Sequence, residues 1–230
     1  MVALSVTTVS AQENIVYGGL GLPQGKFGGD DAKESMYLAD KSEGSAGLGL
    51  NVGFKMLQPI SPELSWFISG DIFYNGLNSD VKEEWEDAID KADGELVSTP
   101  SYLNIPVMGG VNYTVADMGN MSIFAEAGIG FNARLITKGE YNEKVTYGTD
   151  TYKLEVTEEF DNSFGLAFQL GAGVKINDQF IIGLNYYKLG SDKVKGKAKY
   201  EIDGDSDSDD FKSSKKLDVS LLAVRFGFVF

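Results

Sequence analysis

Apolar and polar residues alternate with a period of two along most of this sequence. The clearest run is Gly44 to Leu57, in which every even position from Ala46 to Met56 is apolar and the positions between them are small or polar. A period of two predicts a β-strand whose two faces meet different surroundings. The same alternation recurs in residues 14–22, 64–74, 102–113, 121–135, 160–176, 180–187 and 217–230. The chain is therefore predicted to contain about eight strands.

The final strand indicates what each face meets. Its apolar set comprises Phe230, Phe228, Phe226, Val224 and Leu222. The intervening positions hold a cation and a glycine at 225 and 227. A sheet in water would turn the charge outward. An aromatic face opposite a charged one favours a strand that faces lipid on one side and a crowded polar lumen on the other.

Charged residues in the middle of strands all fall on the glycine-containing face. They are Lys55, Asp71, Glu126, Arg134, Lys175 and Arg225. On the lipid face each Lys or Arg would cost about 2 to 4 kcal/mol. Inside a lumen, cations and carboxylates pair, and Asp71 and Glu126 are the obvious anions. The pairs themselves depend on strand register, which alternation does not give.

Connection lengths and aromatic positions predict the placement in a membrane. Connections alternate between long and short, as they do when one end of a barrel faces a periplasm and the other the exterior. Aromatic residues near the outward strand ends favour the two membrane interfaces: Trp66, Tyr74, Tyr113, Tyr186 and Phe226. We predict an all-β fold, a transmembrane up-and-down antiparallel β-barrel with short periplasmic turns, long extracellular loops and periplasmic termini, in the outer membrane of a Gram-negative bacterium.

The long intervals carry patterns of their own. Val81, Trp85, Ala88, Ile89 and Ala92 have helical spacing after caps at Ser79 or Asp80, which predicts a short amphipathic helix that packs on its own barrel or binds a partner. Residues 145–156 are expected to form a hairpin beyond the membrane. The apolar residues of segment 194–202 fall on even positions, as those of segment 182–186 do, so both sets are expected to lie on the same face of the strand. Residues 203–210 are expected to form an acidic tip. Pro106 within a strand predicts a bulge or a missing ladder bond.

Composition excludes several classes of function. The net charge of -14 opposes nucleic acid binding, because phosphates would stay unneutralised. The sequence has no cysteine and no histidine, so thiol chemistry, disulfides and histidine-based catalysis or metal binding are excluded. We expect no enzyme activity and no cofactor. The sequence contains no run of eighteen apolar residues, so no transmembrane helix is predicted.

The first residues predict an export signal. Residues 1–11 carry no charge and end in Val9-Ser10-Ala11, a small-residue cleavage pattern, so they are interpreted as a residual signal peptide preceding a barrel domain at residues 12–230. An ordinary N-terminal strand is the alternative interpretation.

The acidic run offers hard oxygen ligands for a divalent cation. The candidate ligands are Asp203, Asp205, Asp207, Asp209 and Asp210. The run lacks the glycine and the distal glutamate of an EF-hand loop, so the evidence for a site is limited to composition.

Several segments resemble a known family. YLNIPVMGGVNY, FAEAGIGF, FGLAFQLGAGVKI and IIGLNYYKLG, with a last strand ending in phenylalanine, resemble the outer membrane protein beta-barrel domain family, often labelled porin-family proteins and including small OmpA/OmpX-like barrels. The resemblance implies insertion by the barrel assembly machinery, which reads a terminal aromatic strand, here Phe226, Phe228 and Phe230. It implies no catalytic motif.

Two classes of function follow. A barrel of about eight strands has a lumen that side chains can fill, which favours a structural or adhesion-type protein that meets a protein or surface ligand through extended hairpins, or a barrel serving envelope integrity alone. The alternative is a narrow porin-like channel or a small-solute binder.

Overall fold

The structure is a computed structural model that describes residues 12–30, 43–147, 149–202 and 205–230. Residues 1–11, for which the sequence predicts a residual signal peptide, lie outside the described residues, as does Asp203.

Antiparallel strands make up most of the described chain. The described residues form eleven strands, a 3-10 turn at Gly25–Phe27 and one α-helix, α1, at Ser79–Asp90. The strands are β1 (Glu13–Pro23), β2 (Ala46–Pro59), β3 (Leu64–Leu77), β4 (Glu95–Ser98), β5 (Tyr102–Asp117), β6 (Met121–Ile136), β7 (Gly139–Tyr147), β8 (Asp150–Phe160), β9 (Ser163–Ile176), β10 (Phe180–Ile202) and β11 (Asp205–Val229).

The pairing of the long strands closes on itself. β1 pairs with β2, and the ladder continues through β3, β5, β6, β9, β10 and β11. β11 then pairs with β1, with Ile15 opposite Val229 and Leu22 opposite Leu222. Every pairing is antiparallel, so the fold is an up-and-down barrel. The described sheet has eleven strands rather than about eight because three more strands lie in two of the long connections. β4 lies between β3 and β5, and β7 and β8 lie between β6 and β9.

Side chains alternate across the wall of this barrel. In β9, Phe164 and Leu170 are 79% and 63% exposed, whereas Ala167 and Gln169 between them are buried. The outer wall is thus apolar and the polar side chains are enclosed, the reverse of a soluble sheet.

The long strands β10 and β11 extend well past the ring. They have 23 and 25 residues, whereas about 9 to 11 cross a bilayer. In the projecting part, β8 pairs with β10, β7 with β8 and β4 with β7. The order β11, β10, β8, β7, β4 forms a five-stranded sheet that we call the extension.

A β-bulge reverses the faces of β10 where the extension begins. The register shifts between Lys188 and Ser191, and Gly190 has φ of +100°, a conformation that favours glycine. The prediction that residues 194–202 keep the parity of residues 182–186 is therefore wrong: Val194 and Ala198 are buried on the inner face. The prediction of an acidic tip also needs correction, because Asp205 to Asp210 are part of β11.

Helix α1 packs against the inner face of the extension. Val81, Trp85 and Ile89 are buried, spaced four residues apart along one side of the helix. The cap is Asn78, whose side chain accepts a hydrogen bond from the amide of Asp80, rather than Ser79 or Asp80 itself. No helix in the described residues is both long and apolar enough to cross a membrane.

Pro106 interrupts one ladder without shifting it. On the β6 side it stays in register opposite Asn132. On the β3 side pairing stops between Val107 and Asn104, and it resumes in the same register. The missing donor of proline therefore costs a local ladder bond and no bulge forms.

Candidate functional site

The centre of the lumen contains two adjacent charge networks. The first surrounds Glu126 of β6. Both of its carboxylate oxygens accept hydrogen bonds from the Lys55 ammonium of β2, each at 2.6 Å. Side-chain amides also donate to it, from Gln169 at 2.5 Å, Asn185 at 2.6 Å and Asn112 at 3.2 Å. The carboxylate thus retains several donors besides its ion-pair partner.

The second network surrounds Arg225 of β11. Its guanidinium donates to Asp71 of β3 at 2.6 Å, to Asn51 at 3.0 Å and to the hydroxyl of Tyr187. The same guanidinium lies 4.5 Å from the ring centroid of Tyr17. Burying these charges requires such complete pairing, because an unpaired ion in this position would keep its full desolvation cost.

Together the two networks join all the strands of the closed ring. Their members come from β1, β2, β3, β5, β6, β9, β10 and β11. The networks therefore form a transverse layer of paired charges across the lumen.

The remaining predicted lumen charges lie at the two ends of the barrel. Arg134 is buried and forms an ion pair with Asp192 of β10 at 2.6 Å, towards the long connections. Lys175 is half-buried at the short-turn end, 2.9 Å from Glu13 and 3.4 Å from Asp178. The six predicted charges thus all lie inside the barrel, at three levels along its axis.

Beyond the charge layer, on the side of the long connections, the lumen is filled by buried side chains. Phe73 and Tyr187 meet edge to face with ring centroids 5.1 Å apart. Leu221, Leu189 and Tyr102 belong to the same buried cluster. We call this cluster the plug.

Polar side chains within the plug are anchored to the backbone. The amide of Asn75 donates to the carbonyl oxygens of Gly21 at 3.0 Å and Gly47 at 2.9 Å. The hydroxyl of Tyr102 donates to the carbonyl oxygen of Gly44, just before β2. Tyr102 also packs edge to face on Phe27 of the 3-10 turn. These bonds fix the plug to the wall and to the first long connection.

On the other side of the charge layer the lumen is open. A cavity of about 1010 Å³ extends from Lys55, Glu126 and Arg225 to the short turn at Pro59 to Pro62 and to Asp178. Its volume is of the order of small-molecule pockets. The barrel is therefore asymmetric, closed towards the long connections and hollow towards the short turns.

The predicted interface aromatics lie on the outer wall. Tyr113 and Tyr74 are 51% and 49% exposed, Tyr186 42%, Trp66 36% and Phe226 65%. The predicted assembly residues follow the same face, where Phe228 stacks edge to face on Phe180 at 5.8 Å. Phe230 exchanges two backbone hydrogen bonds with Asn14, which tie the C-terminus to β1.

The structure does not gather the predicted acidic ligands. Asp205, Asp207 and Asp209 lie at alternate positions of β11, and in an extended strand alternate residues are about 7 Å apart. Asp210 points to the other face, 3.6 Å from Lys197. Among the described residues, no three acidic side chains come close enough to hold a metal ion.

Sequence reasoning placed no role on the lumen amides. Asn51, Asn112, Gln169 and Asn185 complete the two networks. The available signal was their parity. Asn51 and Gln169 share the face of Lys55 and Lys175, and Asn112 and Asn185 lie opposite the apolar positions of their strands. Their partners lie on other strands, so only the register reveals their function.

The geometry of a closed antiparallel ring with charges inside and an apolar outer wall defines a membrane β-barrel. The family model of the outer membrane protein beta-barrel domain matches residues 1–230, and this chain belongs to that family. The resemblance found in the sequence is thereby confirmed. Membership implies the outer membrane of a Gram-negative bacterium.

Solved structures of outer membrane proteins are similar to this chain at low sequence identity. A major outer membrane protein from Thermus thermophilus is 13% identical, with a TM-score of 0.50 and coverage of 96% of this chain and 99% of that chain. OprG from Pseudomonas aeruginosa is 15% identical, with a TM-score of 0.46 and coverage of 96% of both chains. Ail, the attachment invasion locus protein of Yersinia pestis, is 12% identical, with a TM-score of 0.43 and coverage of 96% and 100%. A comparison with curated proteins gave no match.

Proposed function

We propose that this chain is a structural or surface-interaction protein of the outer membrane. In this proposal the eight strands of the closed ring cross the bilayer, the short turns and both termini face the periplasm, and the extension projects outside the cell. The plugged lumen is the observation that carries the proposal, because a barrel closed by buried side chains leaves its external surface as the place where it can act.

The plug and the charge layer block passage in succession. Phe73, Tyr187 and Leu221 are each at most 1% exposed. Moving them would also disturb the Arg225–Asp71 pair, since Tyr187 contacts both partners. A ring of eight strands has an interior that side chains can fill, which supports a lumen without a continuous water path.

The extension supplies a surface suited to strand addition. From Asp205 to Asp218, β11 pairs with β10 on one side, and within the described residues no strand pairs with its other side. An unpaired strand edge presents backbone donors and acceptors to an incoming strand. β4 forms the opposite edge of the extension.

Two further expectations belong to this proposal. Phe226, Phe228 and Phe230 serve as the signal read by the barrel assembly machinery, supported by their position on the last, outward-facing apolar stripe. No enzyme activity is assigned, because the sequence has neither histidine nor cysteine.

Single-channel recording in planar bilayers tests the closed lumen. We expect no steady conductance from the wild-type protein. A control variant with Phe73→Gly, Tyr187→Gly and Leu221→Gly, combined with Glu126→Gly and Arg225→Gly, removes most of the plug and the centre of each charge network. It is expected to conduct, which shows that the recording detects an open barrel of this size. Steady conductance by the wild-type protein would overturn the proposal.

A second candidate function is supported by the cavity at the short-turn end. Its volume of about 1010 Å³ and its lining by Lys55, Asn112, Asn185 and Lys175 suit a small polar solute entering from the periplasm. Two measurements on the wild-type protein separate this function from the first. They are the single-channel recording and a test for a rise in thermal unfolding temperature when solute is added.

A further inference from the structure

The outer face of the extension carries a concentration of lysines that the proposed function does not use. Between residues 193 and 216 the chain has seven of its 20 basic residues, although its net charge is -14. After the bulge at Gly190, the odd positions of β10 point outward, so Lys195, Lys197 and Lys199 are exposed. They lie on the same side as the lipid-facing stripe below them.

Five of these lysines have no carboxylate partner within the described part of the chain. We call the four that strand register places opposite one another, Lys193, Lys195, Lys212 and Lys216, the basal lysine cluster. The two lysines farther along β10 differ from them: Lys197 faces Asp210 at 3.6 Å, and Lys199 forms an ion pair with Glu159 at 2.5 Å. The distal positive charges are thus neutralised within the protein and the basal ones are not.

Strand register brings the basal lysines together. Lys193 lies directly opposite Lys216, and Lys195 directly opposite Lys212. Like charges directly opposite on neighbouring strands repel each other and destabilise the pair. An anion placed between the two strands relieves this repulsion, and lysine ammonium groups are suited to phosphate.

The level of the cluster identifies the source of that anion. A transmembrane strand of about ten residues starting at Phe180 reaches Leu189. Lys193 then lies about 9 Å beyond Leu189 along the membrane normal, for a rise of about 3.3 Å per residue and a tilt of about 45°. The headgroup layer is about 5 to 8 Å thick on each side of the hydrocarbon. Flexible lysine side chains reach back into this layer.

We propose that the basal lysine cluster binds the phosphate groups of the glycolipid headgroups in the outer leaflet. The acidic residues at alternate positions 205 to 209 lie on the opposite face of β11, so they do not repel this partner directly. The inference rests on the proposed outward orientation of the extension. It adds to the proposed function a class of ligand for the extension. It also adds a contact with neighbouring lipid headgroups that anchors the base of the extension to the membrane surface.

Native mass spectrometry of the full protein in neutral detergent micelles tests the cluster. The probe is a hexa-acylated diglucosamine lipid carrying two phosphates, compared with the same lipid after enzymatic removal of both. We expect the wild-type protein to bind the phosphorylated lipid at least tenfold more tightly. A variant with K193Q, K195Q, K212Q and K216Q is expected to lose this preference.

A matched control carries K82Q, K91Q, K144Q and K153Q, which remove the same charge from exposed lysines elsewhere in the extension and its helix. It is expected to keep the preference. Heat-modifiable mobility in gels verifies that both variants are folded barrels. Equal affinity for the two lipids, retention of the preference by the first variant, or equal loss in both variants would overturn the inference. So would tight binding of soluble dextran sulfate without a preference for the phosphorylated lipid.

The orientation is tested separately. Ser206→Cys introduces a single thiol into the extension of a chain without cysteine. Labelling of intact cells by a membrane-impermeant maleimide is expected. Absence of labelling refutes the outward orientation and with it the outer-leaflet assignment, whereas a failed lipid titration with normal labelling refutes the cluster alone.

Discussion

The Lys55–Glu126 pair allows a sharp test of how this barrel tolerates charge in its interior. Glu126→Gln replaces the carboxylate by an amide and leaves the Lys55 ammonium with no anionic partner at 2.6 Å. The ammonium then retains aromatic contacts, with the Phe67 ring centroid at 4.7 Å. Breaking a buried pair from one side costs about 3 to 5 kcal/mol. Because Lys55 lines the water-accessible cavity, we expect a cost near the lower limit, about 3 kcal/mol.

The reverse substitution has a smaller effect. In Lys55→Met, the Glu126 carboxylate keeps the amide donors of Gln169, Asn185 and Asn112. Hydrogen bonds to a charged group each stabilise it by about 1.5 to 3 kcal/mol. Because these bonds remain and offset most of the cost of the broken pair, we expect a loss of about 1 to 2 kcal/mol, below the usual cost of about 3 to 5 kcal/mol. The double variant removes both charges and is expected to lie within about 1.5 kcal/mol of wild type.

Urea unfolding in lipid vesicles measures these differences. Trp66 lies on the outer wall of β3 and reports the barrel by its fluorescence. The reasoning is refuted if Lys55→Met is as destabilising as Glu126→Gln. It is refuted equally if the double variant loses the sum of the two single changes, since that result would mean the pair has no energetic coupling.

Three further predictions concern other parts of the chain. Gly190 has φ of +100°, so Gly190→Val is expected to destabilise the protein by about 1 to 3 kcal/mol in urea unfolding. Gly76→Ala, which has open space around its new Cβ, should change stability by less than about 0.5 kcal/mol. Trp85→Ala should cost about 3 to 5 kcal/mol of local stability and expose α1 to protease while the barrel keeps its gel mobility; cleavage equal to wild type would contradict this. Ile129→Arg on the outer wall should cost about 2 to 4 kcal/mol in vesicles, and Val97→Arg on β4 almost nothing; equal effects would contradict a lipid-facing wall.

The strands of the barrel wall could be predicted from sequence because lipid on one face and the lumen on the other impose an alternation with a period of two residues. In β9 the exposed phenylalanines and the enclosed glutamine follow the alternation seen in the sequence. The extension could not be predicted in the same way. The bulge at Gly190 exchanges the two faces of β10, so the alternation before the bulge does not predict which face the residues after it occupy.

The interior charges illustrate the same limit. Their placement on one face follows from the cost of exposing Lys55 or Arg225 to lipid. Their partners do not follow, because Lys55 is 71 residues from Glu126 and Arg225 is 154 residues from Asp71. Closure of the ring brings them together. The helix start was missed by one residue, since Asn78 competes with two equally suitable caps beside it.

Nitroxide scanning of β9 tests the central claim most directly. The absence of native cysteine allows single labels at each position from 164 to 171 in lipid vesicles. The structure predicts high collision rates with oxygen at Phe164, Leu166, Phe168 and Leu170, and low rates at the positions between them. A flat profile, or even-numbered positions that collide with an aqueous nickel chelate instead, would contradict a barrel that turns its apolar wall to lipid and its charges inward.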